Sequence, residues 1–151
     1  MAEKRNEELI AESAAVINHP EITAAALTEQ EEIYKENIID HYKYPRNKKE
    51  LSQYTCSRTE SNPLCGDKIS IYLAVDAGKI TEISFQGHGC AISQASASML
   101  TEHSKGMSLS SVASFTEKDV QSLLGIPLSP IRMKCAILSL KTIHKALEEL
   151  K

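Results

Sequence analysis

The sequence predicts an α+β domain in which a small antiparallel β-sheet packs against several helices. Residues 68–75 and 80–85 are rich in β-branched and aromatic types, and Asp76-Ala77-Gly78-Lys79 between them supplies the turn chemistry of a β-hairpin. Helical spacing dominates before and after this pair. The order is therefore helix, two or three strands, then helices, with no internal repeat.

Each element follows from local pattern. Residues 1–28 combine Ala and Glu with Leu9, Ile10, Ala14 and Val16 at helical spacing, and Pro20 ends the run. They read as an N-terminal extension, a short and mobile helix appended to a domain over 29–151. Thr28 with Glu31 three positions on marks a capped helix start, and Ile33, Ile38 and Ile39 carry that helix to about Tyr42. Pro45 and Arg46-Asn47 open a loop. In the first hairpin strand Ile69, Ile71, Leu73 and Val75 alternate with Ser70, Tyr72 and Ala74, so one face is expected to meet the helices. The run Ala91 to Leu100 predicts a helix with a small-residue face that permits close packing. Thr116 to Leu124 reads as a short capped helix interrupted by Gly125 and Pro127, and 131–150 as a long final amphipathic helix.

Composition bounds the function. A chain of 151 residues with 42% hydrophobic and 25% charged residues has the make-up of one ordinary globular domain. Its net charge is −3 and its Lys and Arg are scattered, so no basic stripe for nucleic acid is expected. No apolar run reaches the ~20 residues of a membrane span. Glu3, Glu7, Glu8 and Glu12 are unlike an organelle transit peptide, and the expected location is the cytoplasm. Four cysteines in a reducing compartment point to metal or redox chemistry rather than disulfides.

Their neighbours sharpen this. Asn62-Pro63-Leu64-Cys65-Gly66-Asp67 sets a thiol and a carboxylate two apart around a glycine, whose backbone freedom lets both side chains converge. Gly87-His88-Gly89-Cys90 places a thiol where a strand ends and a helix begins, and a helix N-terminus favours thiolate. Cys135 is expected near the start of the last helix, with Arg132 and Lys134 favouring a thiolate there too. Three thiolates and one carboxylate suit zinc, and thiolates also hold iron-sulfur clusters. The oxygen ligand is harder and more labile, which fits a site that releases what it binds.

Any one cysteine taken alone is as well explained as a small buried hydrophobe. Cys56, with neither glycine nor acid partner, reads as structural. His88 ranks below Asp67 as a donor and is expected at the surface. His41 is expected at a helix end, bonded to backbone. His19, His103 and His144 carry no functional reading, and Lys48, Lys49 and Lys145 read as solvated.

The segments Ile33 to Asn47 (IYKENIIDHYKYPRN), Asn62 to Asp67 (NPLCGD), Gly87 to Ser93 (GHGCAIS) and Lys134 to Ala136 (KCA) resemble, in order, the U-type iron-sulfur scaffold family of IscU, SufU and the N-terminal domain of NifU. The resemblance spans about residues 30–150. It implies a SufE/NifU-like fold and Cys65, Asp67, Cys90 and Cys135 as cofactor-binding and metal positions. The implied cargo is a transient [2Fe-2S] cluster or Zn2+. The implied partners are a cysteine desulfurase of SufS or IscS type and apo iron-sulfur or carrier proteins, with neither nucleic acid nor membrane. Two functions follow: a scaffold that assembles and passes on a labile cluster, or a zinc-dependent sulfurtransferase in which Cys135 or Cys90 accepts persulfide sulfur. Lys134 stands where IscU-type members carry histidine and matches the SufU-type Arg-x-Lys-Cys-Ala context. The 45-position step from Cys90 to Cys135, by contrast, has the IscU-like length. Leu128-Ser129-Pro130-Ile131-Arg132 only partly resembles the Leu-Pro-Pro-Val-Lys chaperone-binding motif of IscU-type scaffolds.

Overall fold

The computed structural model describes residues 28–150. The expectation of an N-terminal extension over 1–28 falls, apart from Thr28, outside these residues. Thr28 caps the first helix: its hydroxyl accepts from the Glu31 amide at 3.1 Å while the Glu31 carboxylate accepts from the Thr28 amide at 2.9 Å. This helix, α1, spans Glu29–Lys43 and buries Ile38 and Ile39.

Three antiparallel strands follow in the order β1-β2-β3: β1 is Cys56–Asn62, β2 Asp67–Asp76 and β3 Lys79–His88. Along β2, Ile69, Ile71 and Leu73 are fully buried whereas Lys68 is exposed and Ser70, Tyr72 and Ala74 are half-buried. The alternation of the sequence is thus the alternation of the sheet, and the apolar face meets helices α2 (Ala91–Ser104) and α5 (Pro130–Glu148). On the other face Tyr54 and Tyr72 meet edge to face, ring centroids 5.3 Å apart. Two short helices, α3 (Leu109–Ala113) and α4 (Glu117–Leu124), join α2 to α5, and α1 covers α2.

The Ala/Ser run forms α2, almost wholly buried. Two of its serines find partners in the interior: Ser96 donates to the Ala136 carbonyl on α5 at 2.6 Å, and Ser98 lies 2.8 Å from His41 Nδ1. Small side chains therefore bring α1 and α5 close to α2. The α2 and α5 packing fixes Cys90 and Cys135, which start and line these two helices, on one side of the sheet. Among the described residues no helix is long and apolar enough to cross a membrane.

Candidate metal centre

The site is built where β1 turns into β2 and β3 runs into α2. Asn62 ends β1 and organises the turn, its side-chain oxygen accepting from the Leu64 amide at 3.2 Å and its carbonyl from the Gly66 amide at 2.9 Å. Gly66 adopts φ +71°, the left-handed conformation that reverses the chain between Cys65 and Asp67. Both side chains then face the same space. Asn62 Nδ2 also lies 3.8 Å from Cys135 Sγ.

Asp67 opens β2 and is fully buried. Its Oδ1 accepts from the Cys90 amide at 2.9 Å, one of the free N–H groups at the start of α2. Its Oδ2 is buried and has no hydrogen-bond partner. A buried carboxylate oxygen left without a donor is costly, by about 1–3 kcal/mol, unless a cation takes the place. Close by, Cys135 Sγ and Cys65 Sγ are 3.0 Å apart, and the ligand atoms of Cys65, Asp67 and Cys135 all fall within 4.8 Å of one another. A paired thiol, a paired thiol and an orphaned carboxylate oxygen fit a divalent metal or the iron of a cluster.

Cys90 is the N-cap of α2, as its position after Gly89 suggested. It stands outside the tight group of three, and the neighbouring Cys135 thiol acts on its ionisation. The neighbouring Cys135 thiol lowers the Cys90 pKa to about 6; burial opposes this, and the Ser93 amide and Arg132 reinforce it. The same pairing, then burial, pushes Cys135 the other way, so that it stays protonated. The expectation that neighbouring cations would favour a Cys135 thiolate is therefore corrected for the metal-free protein. Cys135 is fully buried in the second turn of α5, and Lys134 points outward. Arg132 does reach the centre: its guanidinium bonds Cys90 and lies in the field of Cys135 and Cys65. Ser129 caps α5, accepting from the Arg132 amide at 3.2 Å, which sets that side chain's starting point.

Gly89 is required for a spatial reason. At φ +154° its missing Cβ would overlap Asp67 Oδ1 and Ser93 Oγ. Of the other residues weighed, Cys56 is half-buried, its Sγ 3.5 Å from the Ala146 carbonyl, on the far end of β1 opposite Leu73. His88 is exposed. His41 is buried at the end of α1, but its partner is the Ser98 hydroxyl rather than backbone, and burial lowers its pKa. His144 lies against the Val112 carbonyl at 3.2 Å. Lys145 is ion-paired with Glu60 at 2.9 Å rather than merely solvated. Sequence reasoning missed Asn62, which stands in its motif without an assigned role but organises the turn and reaches Cys135.

Relatives share this frame. Residues 33–151 match the family described as the NifU-like N terminal domain. The zinc-dependent sulfurtransferase SufU of Bacillus subtilis is 35% identical over 130 residues, covering 75% of this chain and 88% of that protein. The iron-sulfur cluster assembly scaffold protein IscU of Escherichia coli is 33% identical over 122 residues, covering 78% and 94%. The crystal structure of FiSufU from Fervidobacterium islandicum AW-1 superposes with a TM-score of 0.62 at 28% identity, covering 77% of this chain and 97% of that one. With a family match over most of its length, relatives above 30% identity and the α+β fold of a solved neighbour, the chain belongs to the NifU-like N-terminal domain family.

Proposed function

We propose that this protein serves iron-sulfur cluster assembly in the cytoplasm, taking persulfide sulfur from a cysteine desulfurase, iron, and two electrons per sulfur from an external electron-donor protein that reduces it to sulfide, assembling a labile [2Fe-2S] cluster and passing it to apo-proteins. The observation that carries this is the orphaned, buried Asp67 Oδ2 beside the Cys65–Cys135 pair. Cys65, Cys90 and Cys135 would be the thiolate ligands and Asp67 the oxygen ligand. The Cys90 amide holds Asp67 in place, and Arg132 offsets the negative charge of the assembled ligand set. Sulfur enters by exchange. A thiolate attacks the outer sulfur of the donor's persulfide, the donor S–S bond breaks, the donor cysteine leaves as thiolate, and the new S–S bond stands on this chain. Cys90, half-exposed, is better placed for that attack than the buried Cys135.

Because an oxygen ligand exchanges more readily than sulfur, Asp67→Ala is expected to hold an assembled cluster longer than the parent. Decay of visible absorbance measures this. Faster loss in the variant removes Asp67 from the role.

A second reading, a zinc-dependent sulfurtransferase that activates a SufS-type desulfurase, is favoured by Lys134 directly before Cys135 and by the similarity to the Bacillus protein. Bound zinc would hold thiolates deprotonated near neutral pH. The chain's own part is to keep Asp67 at hand as the exchangeable donor and to orient Cys90 outward. Anaerobic purification followed by metal and acid-labile sulfide analysis separates the readings: iron with sulfide supports the scaffold, stoichiometric zinc without sulfide the sulfurtransferase.

A further inference from the structure

Beside the thiols, on the outer side of Asn62, lies a cavity of about 330 Å³ whose walls combine Pro63, Leu64 and Leu138 with Lys134, Lys141 and Lys145. Positions 134, 138, 141 and 145 are spaced i, i+4, i+7 and i+11, which brings them to one face of α5. Leu138 is buried and floors this face, with the exposed lysines around it. Opposite, Leu64 at the tip of the β1–β2 turn is 70% exposed, among the most exposed large apolar residues described. Lys145 is held by Glu60. Lys134 and Lys141 make no hydrogen bond or ion pair among the described residues, and Glu60 is the one acid in the wall, so the cavity carries surplus positive charge on a chain of net charge −3.

We propose that this cavity is the docking site of an acidic segment, with one apolar anchor residue, on the protein that donates sulfur to the thiols. The inference rests on the sulfur-accepting reading above and adds what recognises the donor. Charge complementarity selects the occupant: two uncommitted ammonium groups beside an apolar floor fit carboxylates flanking a leucine-like side chain. Continuity with the site supports it. Asn62 lines the cavity and touches Cys135, and Lys134 is the residue before that cysteine, so a segment seated here holds its parent protein against the thiols. Leu64 meets the anchor from the turn that also carries Cys65, which ties recognition to the position of a ligand.

The test titrates the full-length, metal-loaded protein with a cysteine desulfurase, following binding by anisotropy and metal content in parallel. Lys141→Glu, far along α5 from the ligands, is expected to weaken binding at least tenfold with metal content unchanged. Lys118→Glu on α4, outside the cavity, is expected to bind as the parent does. Raising salt from about 50 to 300 mM should weaken the parent more than Lys141→Glu, since screening shortens the reach of charge from roughly 14 Å to under 6 Å. Equal affinity of parent and Lys141→Glu overturns the docking site while leaving the sulfur-accepting reading intact. A metal-loaded parent that binds no desulfurase overturns both. Displacement of the desulfurase by a twelve-nucleotide single-stranded RNA at equal concentration overturns the choice of an acidic protein segment in favour of phosphate.

Discussion

The two ends of the β2–β3 hairpin are made of the same strands and do opposite things. At the closed end, Ala77-Gly78 turns the chain and backbone hydrogen bonds tie it to the following segment: the Ile80 amide donates to the Met107 carbonyl at 2.9 Å, the Gly106 amide to the Ile80 carbonyl at 2.7 Å, and the Leu109 amide to the Gly78 carbonyl at 3.0 Å. At the open end, where β2 begins at Asp67 and β3 ends at His88, Gly89 holds a backbone conformation closed to other residues, two sulfurs crowd at 3.0 Å and a buried carboxylate oxygen has no donor. The closed end is tied by backbone hydrogen bonds, and the open end gathers two thiols and a buried carboxylate that could hold a metal ion. An unpartnered buried carboxylate oxygen beside two crowded thiols is the kind of local inconsistency that marks a site.

The contrast breaks most severely at Gly89. A Cβ there displaces Asp67, so Gly89→Ala is expected to lose most of its bound metal and about 2–5 kcal/mol of stability. Metal analysis with denaturant unfolding measures both. A variant that keeps full metal content would show that Asp67 need not sit where Gly89 lets it.

A smaller effect separates the thiols of the open end from one another. In metal-free protein the thiolate belongs to Cys90, with its pKa lowered to about 6, while Cys135 is held as the thiol. Alkylation by iodoacetamide, read by peptide mass, should therefore rise through pH 6 at Cys90 and spare Cys135 until the protein unfolds. The sign is fixed by the direction of the shift: a depressed thiol pKa extends reactivity to lower pH. At pH 7 the larger thiolate fraction outweighs the lower nucleophilicity of an acidic thiol by only a few-fold, so the inflection and not the rate is decisive. An inflection near the ordinary thiol value, or earlier modification of Cys135, would contradict the assigned influence of each thiol on the other.

How far the sequence reveals this contrast depends on whether a feature is local. The hairpin, the capped α1 and the convergence of Cys65 with Asp67 were legible because alternation, capping residues and a glycine between two side chains act within a few positions of each other. Strand β1 was not. Cys56–Asn62 is an edge strand of polar residues with little apolar alternation, stabilised by its seven-residue pairing with β2 rather than by its own pattern. Helix α3, five residues long, likewise gives too short a period to read. At the site, residue identity and order were legible, but ionisation was not: Lys134 adjoins Cys135 in sequence yet faces solvent, whereas Cys90, 45 positions away, sets the thiol's state as its neighbour in the fold.

The smallest expected effect sharpens the comparison from the closed end. Ala77 has φ +51° and Gly78 φ +74°, two positive values that make the pattern of a type I′ turn, in which Asn or Asp is preferred at the first position and Ala carries a steric cost. Ala77→Asn is thus expected to raise stability by about 0.5–1 kcal/mol without altering metal content, because a turn already satisfied by backbone bonds has only its own strain left to relieve. Denaturant midpoints and metal analysis check the two halves of that statement. If stability rose while metal content fell, the ends of the hairpin would be coupled through the strands, and the open end's irregularity would depend on tension transmitted from the closed one rather than on the local chemistry of Asp67, Gly89 and the thiols.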